Sequence, residues 1–229
     1  MSGNVVEDAN NQPTDGAVIL VGSRSHFVAN RLILRGNAAA YAINVLGDDD
    51  VSNDTELANC LIVDNHTRHE LVGVRRSGPT ILSMDGCTLA HNTIDNGYVL
   101  YRNGISGLFL TDSIIDMPGV QTVDGGASAH YVLSNDTSTL RATANLVVQG
   151  EPSFVNVAVG DYHLLPSSLG VDFAPAAGGT DLDRLPRDVD LPQVPNFYGP
   201  RDIGAYERQS AFLCDNNRDA IFCDGFEAM

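Results

Sequence analysis

The sequence predicts an all-β protein, a right-handed, single-stranded parallel β-helix with three strands in each turn of about 26–28 residues. Three observations favour this fold. A nine-residue motif recurs at intervals of 28, 27 and 26 residues, apolar and polar residues alternate within and between its copies, and Gly, Asn and Asp separate the alternating runs. No segment shows the apolar stripe of an amphipathic helix.

The repeated motif aligns equivalent residues along the chain. Its four copies occupy residues 29–37, 57–65, 84–92 and 110–118. Because successive side chains of a strand point to opposite faces, each inward position should form a stack with one residue from every turn. The predicted stacks are Phe27, Thr55, Leu82 and Leu108; Ala29, Leu57, Met84 and Leu110; Leu32, Cys60, Cys87 and Ser113; and Leu34, Ile62, Leu89 and Ile115.

The segments between the motifs distinguish two architectures that share this repeat length. A leucine-rich-repeat horseshoe would carry helical or irregular segments there. This chain instead shows further alternating runs, which predict additional strands over residues 41–45, 71–74, 80–84, 98–101 and 108–110. The β-helix is therefore the preferred architecture.

Asn recurs at one corner of the predicted coil, as Asn37, Asn65 and Asn92. Their amides can form a ladder that hydrogen-bonds from turn to turn. The alternative is that each Asn tolerates a left-handed backbone conformation at the corner. We favour the ladder, and neither interpretation implies catalysis.

Cys60 and Cys87 fall at the same inward position of adjacent turns. The strand spacing permits a disulfide, but parallel Cβ directions aim the two sulfurs poorly at each other. The sequence thus favours two stacked core cysteines with free thiols, and a bridge is the alternative. Neither sulfur has a basic partner in that interior, so neither is expected to be a nucleophile.

Composition excludes several functions. The chain has 229 residues, 29 acidic against 13 basic, and a net charge of −16, which disfavours binding to nucleic acid. Every basic residue is Arg, which removes lysine-dependent chemistry. No apolar run is long enough for a membrane span, and no CxxC motif suggests a zinc site.

The second half of the chain resembles a known group of proteins. The stretches 150–156 (GEPSFVN), 161–168 (DYHLLPSS) and 200–207 (PRDIGAYE) resemble the closing turns of bacterial secreted β-helix proteins. Residues 25–208 are similar to the choice-of-anchor Q, pectin-lyase-like group of right-handed parallel β-helices. This resemblance implies a secreted or cell-surface protein, preceded by upstream β-helix turns of a longer parent chain.

The resemblance also divides the chain. Residues 1–24 are expected to be a lead-in excised from a longer chain, 25–208 the β-helix with its Pro-rich closing segment, and 209–229 a tail similar to the short endings of exported bacterial proteins. In such a compartment Cys214 and Cys223 are expected to form a disulfide.

The closing segment should cover part of the coil. Outward apolar residues would form a strip that favours unwanted association if it is exposed, so we predict that the Pro-rich segment packs over it.

The acidic residues of that segment alternate with two arginines and suggest a solvated, self-paired loop. The strip consists of Ile33, Leu61, Val63 and Ile114; the loop contains Asp181, Asp183, Asp188 and Asp190 with Arg184 and Arg187.

Candidate catalytic residues lie on the outer strand face. Glycoside hydrolysis needs two carboxylates, and a lyase needs a base beside a uronate. Arg31, Asp112 and Asp116 are the candidates, but the two carboxylates are expected about 13 Å apart along one strand, beyond the usual glycosidase separation of about 5 to 9.5 Å. We therefore assign no catalytic residue and keep these three for the alternative function.

Two further clusters suggest weak binding sites. Arg68, Arg75 and Arg76 form a cationic spot that can hold a carboxylate or a sugar acid. The acidic corner Asp48, Asp49 and Asp50 has the ligand chemistry for calcium, although a solubilising loop is the preferred interpretation and no cofactor is expected.

The expected function is a non-enzymatic, secreted or surface-associated scaffold or adhesin-like module that contacts a polysaccharide or cell-surface glycan weakly. A polysaccharide lyase or glycoside hydrolase is the alternative, carried by fold analogy alone. A capping or assembly domain of a larger secreted protein is a further alternative.

Overall fold

The protein is a parallel β-solenoid. The computed structural model describes residues 1–4, 16–22, 24–46, 53–75, 80–103, 107–142 and 146–210. In that part of the chain the single helix is a 3-10 turn at Val157–Val159. The strands, in chain order, are β1 (Ala17–Val21), β2 (His26–Asn30), β3 (Ile33–Arg35), β4 (Ala38–Ala39), β5 (Tyr41–Leu46), β6 (Asn53–Ala58), β7 (Leu61–Val63), β8 (His66–Thr67), β9 (Val72–Arg75), β10 (Thr80–Asp85), β11 (Thr88–Ala90), β12 (Thr93–Ile94), β13 (Leu100–Arg102), β14 (Gly107–Asp116), β15 (Val123–Asp124), β16 (Ala127–Ser134), β17 (Leu140–Ala142), β18 (Val147–Gln149), β19 (Phe154–Asn156) and β20 (Asp161–Leu164).

The coil makes about three complete turns, which confirms the predicted fold class. The turns are β2 to β5, β6 to β9 and β10 to β13, and β14 to β18 continue the stack less regularly. Equivalent strands pair in parallel, in the orders β2-β6-β10-β14, β4-β8-β12 and β1-β5-β9-β13-β15. Three sheets therefore line the coil, as the sequence predicts.

The first of these faces carries two short strands in each turn, so that each turn has four strands where we predicted three. A residue with positive φ separates them, Arg31 in the first turn, Asn59 in the second and Gly86 in the third. In the fourth layer β14 continues past the equivalent residue, Asp112, which also has positive φ. The left-handed residue bends the strand without ending the sheet, so three faces accommodate four strands.

The predicted stacks are confirmed by the strand register. Thr55 pairs with Phe27 and Leu82, and Ile62 pairs with Leu34 and Leu89. These inward side chains build one continuous core that runs along the coil axis. Each turn thus buries its apolar residues against its neighbours, because a single turn has no second layer of its own.

The asparagine ladder is also confirmed. The Asn65 amide donates to Asn92 Oδ1 at 2.9 Å, and the Asn37 amide donates to Asn65 Oδ1 at 2.8 Å. Asn4 extends the ladder by donating to Asn37 Oδ1. The alternative is wrong, because the left-handed conformation belongs to the residue before each Asn: Gly36, Asp64 and His91.

Cys60 and Cys87 form a disulfide between adjacent turns, with their Cα atoms 4.5 Å apart. The adjacent inward positions are as predicted, but the preference for two free thiols is wrong. Close approach of the two strands at this bend brings the Cα atoms within the range that a disulfide spans, and this outweighs the unfavourable Cβ directions.

Residues 150–210 leave the coil and return along its outer surface. Their apolar side chains pack against Leu61, Val63 and Ile114, which are buried as predicted. Ile33 is the exception, at 41% exposed, so the predicted cover does not extend to this residue of the first turn. We call residues 150–210 the cover segment.

Candidate functional site

The cover segment occupies the outer strand face on which a polysaccharide-cleaving β-helix would need its acid and base. Asp112 is buried and forms an ion pair with Arg201 of the cover segment, at 2.9 Å between Nε and Oδ2. Burial raises the pKa of Asp112 to about 6, and the Arg201 guanidinium opposes the shift. The Gly204 amide also donates to the Asp112 carbonyl at 2.7 Å. Asp112 therefore holds the cover segment in place.

Arg31 contacts a different part of the cover segment. Its Nε donates to the Asp181 carbonyl at 2.9 Å, and its guanidinium also contacts the Thr180 hydroxyl. Arg31 and Asp112 occupy the same bend of the coil in layers three steps apart, or about 14 Å at ~4.8 Å per step. The structure therefore does not bring the candidate base and Asp112 together.

A buried network of charged residues anchors the cover segment. Arg187 donates to Asn59 Oδ1 of the coil at 2.8 Å and to the Gly204 carbonyl at 2.8 Å. The Glu207 carboxylate accepts the Asp202 amide at 3.0 Å, and Asp202 in turn accepts the Arg208 amide at 2.8 Å. Burial raises the pKa of both carboxyls.

This network corrects the prediction of a solvated acidic loop in part, because Asp183, Arg184 and Asp190 are exposed as predicted but Asp181 and Arg187 are buried. Asp181 is completely buried and accepts the backbone amides of Leu185 and Glu207, while Arg187 is 5% exposed. The alternating acidic and basic residues suggested solvent exposure, because the sequence alone does not show that this segment packs against a face of the coil. The DIGAYE stretch was recognised by resemblance, and its anchoring role was not predicted.

The cationic spot is engaged with the coil. The Arg75 guanidinium lies over the rings of Tyr41 and Tyr101, at 4.5 and 5.2 Å from their centroids, and it pairs with the buried Glu70. Arg68 is half-buried. Arg76 lies outside the described residues, so the three-arginine cluster is not tested, but the aromatic contacts make Arg75 part of the packing.

The remaining predicted sites fall where the structure gives no description. The acidic corner Asp48, Asp49 and Asp50 lies outside the described residues, as do Cys214 and Cys223. Within the described ranges, no cluster of three or more His, Cys, Asp or Glu side chains is arranged to hold a metal ion.

Asp116 lies apart from the anchoring network, at the corner that follows β14. Its carboxylate is 3.6 Å from Nε2 of His91, and burial raises its pKa. Both residues line a pocket of about 250 Å³ together with Asn92, Met117, Pro118 and Val120. The Phe154 and Tyr162 rings make edge-to-face contacts with the His91 imidazole, with centroids 6.3 and 5.7 Å away.

The pairing of His91 with Asp116 was missed by sequence reasoning. His91 is the residue with positive φ at the ladder corner of the third turn, and Asp116 is the last residue of β14, at the same corner of the next layer. The spacing of 25 residues, one less than the shortest repeat interval, is the signal that would have placed them side by side.

These features define a parallel β-solenoid protein whose closing segment covers one outer face. No family model matches the chain, and comparisons with curated proteins and with solved structures give no match either. In the part of the chain that the structure describes, no helix has the length and apolar character needed to cross a lipid bilayer.

Proposed function

We propose that the protein is a non-enzymatic, secreted or surface-associated β-solenoid module that serves as a rigid scaffold. The observation that carries this proposal is the cover segment. It buries the outer residues Leu61, Val63 and Ile114, and its Arg201 neutralises Asp112 at the position where a β-helix hydrolase would need a free carboxylate. A face used in this way supplies stability rather than access for a polymer.

The disulfide between Cys60 and Cys87 supports export. Disulfides form and persist in oxidising compartments and are rare in reducing cytoplasm. Placing the chain with the choice-of-anchor Q, pectin-lyase-like β-helices of bacteria is part of this proposal and rests on the resemblance of residues 200–207. In this chain Arg201, Asp202 and Glu207 of that stretch anchor the cover segment.

The test combines an activity screen with localisation. Purified protein is incubated with acidic and neutral polysaccharides, and new reducing ends and unsaturated uronates are measured. We expect no product above the buffer control. Fractionation of cells that produce the full-length parent protein should recover it in the medium or on the cell surface.

Two variants make the activity screen decisive. Arg31→Ala removes a contact with the cover segment and should lower the unfolding temperature, Asp112→Asn removes the candidate carboxylate, and neither substitution should affect product formation. Turnover by the wild-type protein that is lost in either folded variant would instead establish the lyase or hydrolase alternative.

A further inference from the structure

β2 is an edge strand at the N-terminal end of the coil. A further, partial layer lies over the rest of the first turn: Ser2 pairs with Arg35 of β3, the Ala38 amide of β4 donates to the Asn4 carbonyl at 2.9 Å, and β1 pairs with β5. Within the described residues, β6 is the one strand that pairs with β2. The partial layer therefore has a gap above β2, one strand wide and five residues long, which we call the edge gap.

The side chains of β2 are incompletely buried at this gap. Phe27 and Ala29 belong to the inward stacks but remain partly exposed, whereas Leu57 and Met84, which stack on Ala29 in the next two turns, are each 1% exposed. Val28 is 55% exposed. An edge strand with apolar side chains and neither Lys nor Pro is a template for a further strand. The edge gap thus fits a strand with apolar residues at alternate positions.

The partial layer around the edge gap limits what can enter it. Residues 1–4 and β1 stand one layer, ~4.8 Å, above β2 on either side of the gap. The flat end of a second coil would meet these residues before it reached β2. A single extended segment can lie between them, so the geometry favours a strand over another folded coil.

The charge of the first turn also selects the segment. Residues 16–46 contain three Arg and no Asp or Glu, although the net charge of the chain is −16. Arg24 precedes β2 and Arg31 follows it. Within the described residues, Arg31 donates to the Asp181 carbonyl and the Thr180 hydroxyl, and neither contact neutralises its charge. A strand that has an acidic residue at each end would therefore be favoured.

The last described residues lie near the C-terminal end of β2. The Gln209 side chain donates to the Pro186 carbonyl at 2.9 Å, and Pro186 forms a β-bridge with Thr180. The Thr180 hydroxyl contacts the guanidinium of Arg31, which directly follows β2. Residues 211–229 lie outside the described residues. When extended at ~3.3 Å per residue they can span about 60 Å, whereas β2 is about 17 Å long, so this segment can reach the whole edge gap.

One run within residues 211–229 has the chemistry that the edge gap requires. Residues 220–223 (AIFC) are all apolar, so either face of a strand there presents apolar side chains. Asp219 precedes this run and Asp224 follows it. The other apolar run, residues 211–214 (AFLC), has an acidic neighbour on its C-terminal side alone. Charge and apolar pattern together single out residues 219–224.

We propose that residues 219–224 of the same chain pair as a strand with the open edge of β2, with their two Asp side chains beside Arg24 and Arg31. Alternate side chains of this strand cover Phe27 and Ala29. The pairing completes the partial layer and removes an open edge that would otherwise recruit strands from other molecules. This inference does not depend on the scaffold function.

Hydrogen exchange of the full-length protein, measured by mass spectrometry on peptides that cover β2, tests this pairing. Alternate N–H groups of a strand point to opposite edges, so one set bonds to β6 and the other faces the edge gap. Both sets should exchange slowly in the wild type. The double variant Ile221→Ser and Phe222→Ser should speed exchange of the gap-facing set by about tenfold or more, because these amides lose their partners.

The matched control makes the same change in the other apolar run, with Phe212→Ser and Leu213→Ser, and should exchange at β2 like the wild type. Amides of β10, which pairs with β6 and β14, should be equally protected in all three proteins and show that each is folded.

Four results would overturn the proposal. These are fast exchange of the gap-facing amides in the wild type, unchanged exchange in the variant at Ile221 and Phe222, and equal effects of the two double variants. The fourth is protection that grows with protein concentration, since a second copy would then supply the strand.

Discussion

Asn65 shows how a single residue can join three turns of the coil. Its side-chain Nδ2 donates to Asn92 Oδ1 at 2.9 Å and to the Leu34 carbonyl at 3.0 Å, while its Oδ1 accepts both N–H groups of Asn37. The side chain is almost fully buried. All of the side chain's hydrogen-bonding capacity is therefore used between layers. At this corner the Asn65 carbonyl accepts the Thr93 amide of the next turn, and the Asn65 backbone N–H donates to the Asn92 side chain at 3.0 Å.

Replacing Asn65 with Leu should lower the free energy of unfolding by about 1 to 3 kcal/mol, because buried groups on both neighbouring turns lose their partners. Urea denaturation measures the change. Asn96→Leu is the matched control, since Asn96 lies exposed at a corner of the same coil and should change stability by less than about 0.5 kcal/mol. Equal effects of the two substitutions would show that the ladder does not stabilise the coil.

The ladder could be predicted from the sequence, but the conformation beside it could not. The recurrence of Asn at intervals of 28 and 27 residues identifies the corner. The residues that adopt positive φ are Gly36, Asp64 and His91, which share no side-chain chemistry. Stacking on the neighbouring turns imposes the conformation on each of them, so no local preference in the sequence reports it.

At the level of elements, the Cys60–Cys87 disulfide links the second and third turns inside the core. Sequence spacing alone placed the two residues in one stack. It could not settle whether they bond, because that depends on how closely the strands approach at the bend. The observed Cα separation of 4.5 Å lies within the range for disulfides. The bridge thus adds a covalent connection to a pair of turns otherwise held by strand pairing.

Removing the bridge with Cys60→Ala and Cys87→Ala should cost about 3 kcal/mol of unfolding free energy, from the entropy that a closed loop of this length removes from the unfolded chain. Urea denaturation of the oxidised proteins tests this, and peptide mapping confirms the linkage. Reductant should lower the unfolding free energy of the wild type more than that of the double variant. Any decrease that remains in the double variant would come from reduction of a Cys214–Cys223 bridge. A double variant as stable as the wild type would contradict the prediction.

On the scale of the whole molecule, the cover segment converts an open coil into a two-layer structure. The sequence predicted that it would cover Leu61, Val63 and Ile114, since a bare apolar strip is unfavourable. The ionic contacts beneath it were not predictable, because Arg187 and Arg201 meet Asn59 and Asp112 across long sequence separations.

This buried network makes the stability of the protein depend on pH. Burial raises the pKa of Asp112 and of Asp172 to about 6, and it also raises those of Asp202 and Glu207. A carboxyl group whose folded pKa exceeds its unfolded pKa stabilises the protein most fully below the unfolded value, near pH 4. That contribution is lost as pH rises through the folded value, so the free energy of unfolding should fall between about pH 4 and pH 8.

His163 acts in the same direction. Burial opposes its charge, but hydrogen bonds with Asp183 and Asp161 outweigh burial and raise the pKa of the imidazole. The stability that the charged imidazole contributes is therefore present below its unfolded pKa of about 6.5 and disappears above its folded value. Acid should thus hold the cover segment more firmly than alkali.

Asp172 allows this pH dependence to be tested with one isosteric change. Its Oδ2 accepts the Leu191 amide at 3.3 Å, and its Oδ1 is buried without a partner. Asp172→Asn keeps that acceptor, tolerates the left-handed backbone found there, and removes the charge. We expect the variant to match the wild type at pH 4 and to exceed it by about 1 kcal/mol at pH 8, measured by urea denaturation. Asp54→Asn is the half-exposed control and should have the wild-type pH profile. If the Asp172 variant is less stable than the wild type at pH 8, the Asp172 carboxylate contributes a favourable interaction and burial does not dominate its energetics.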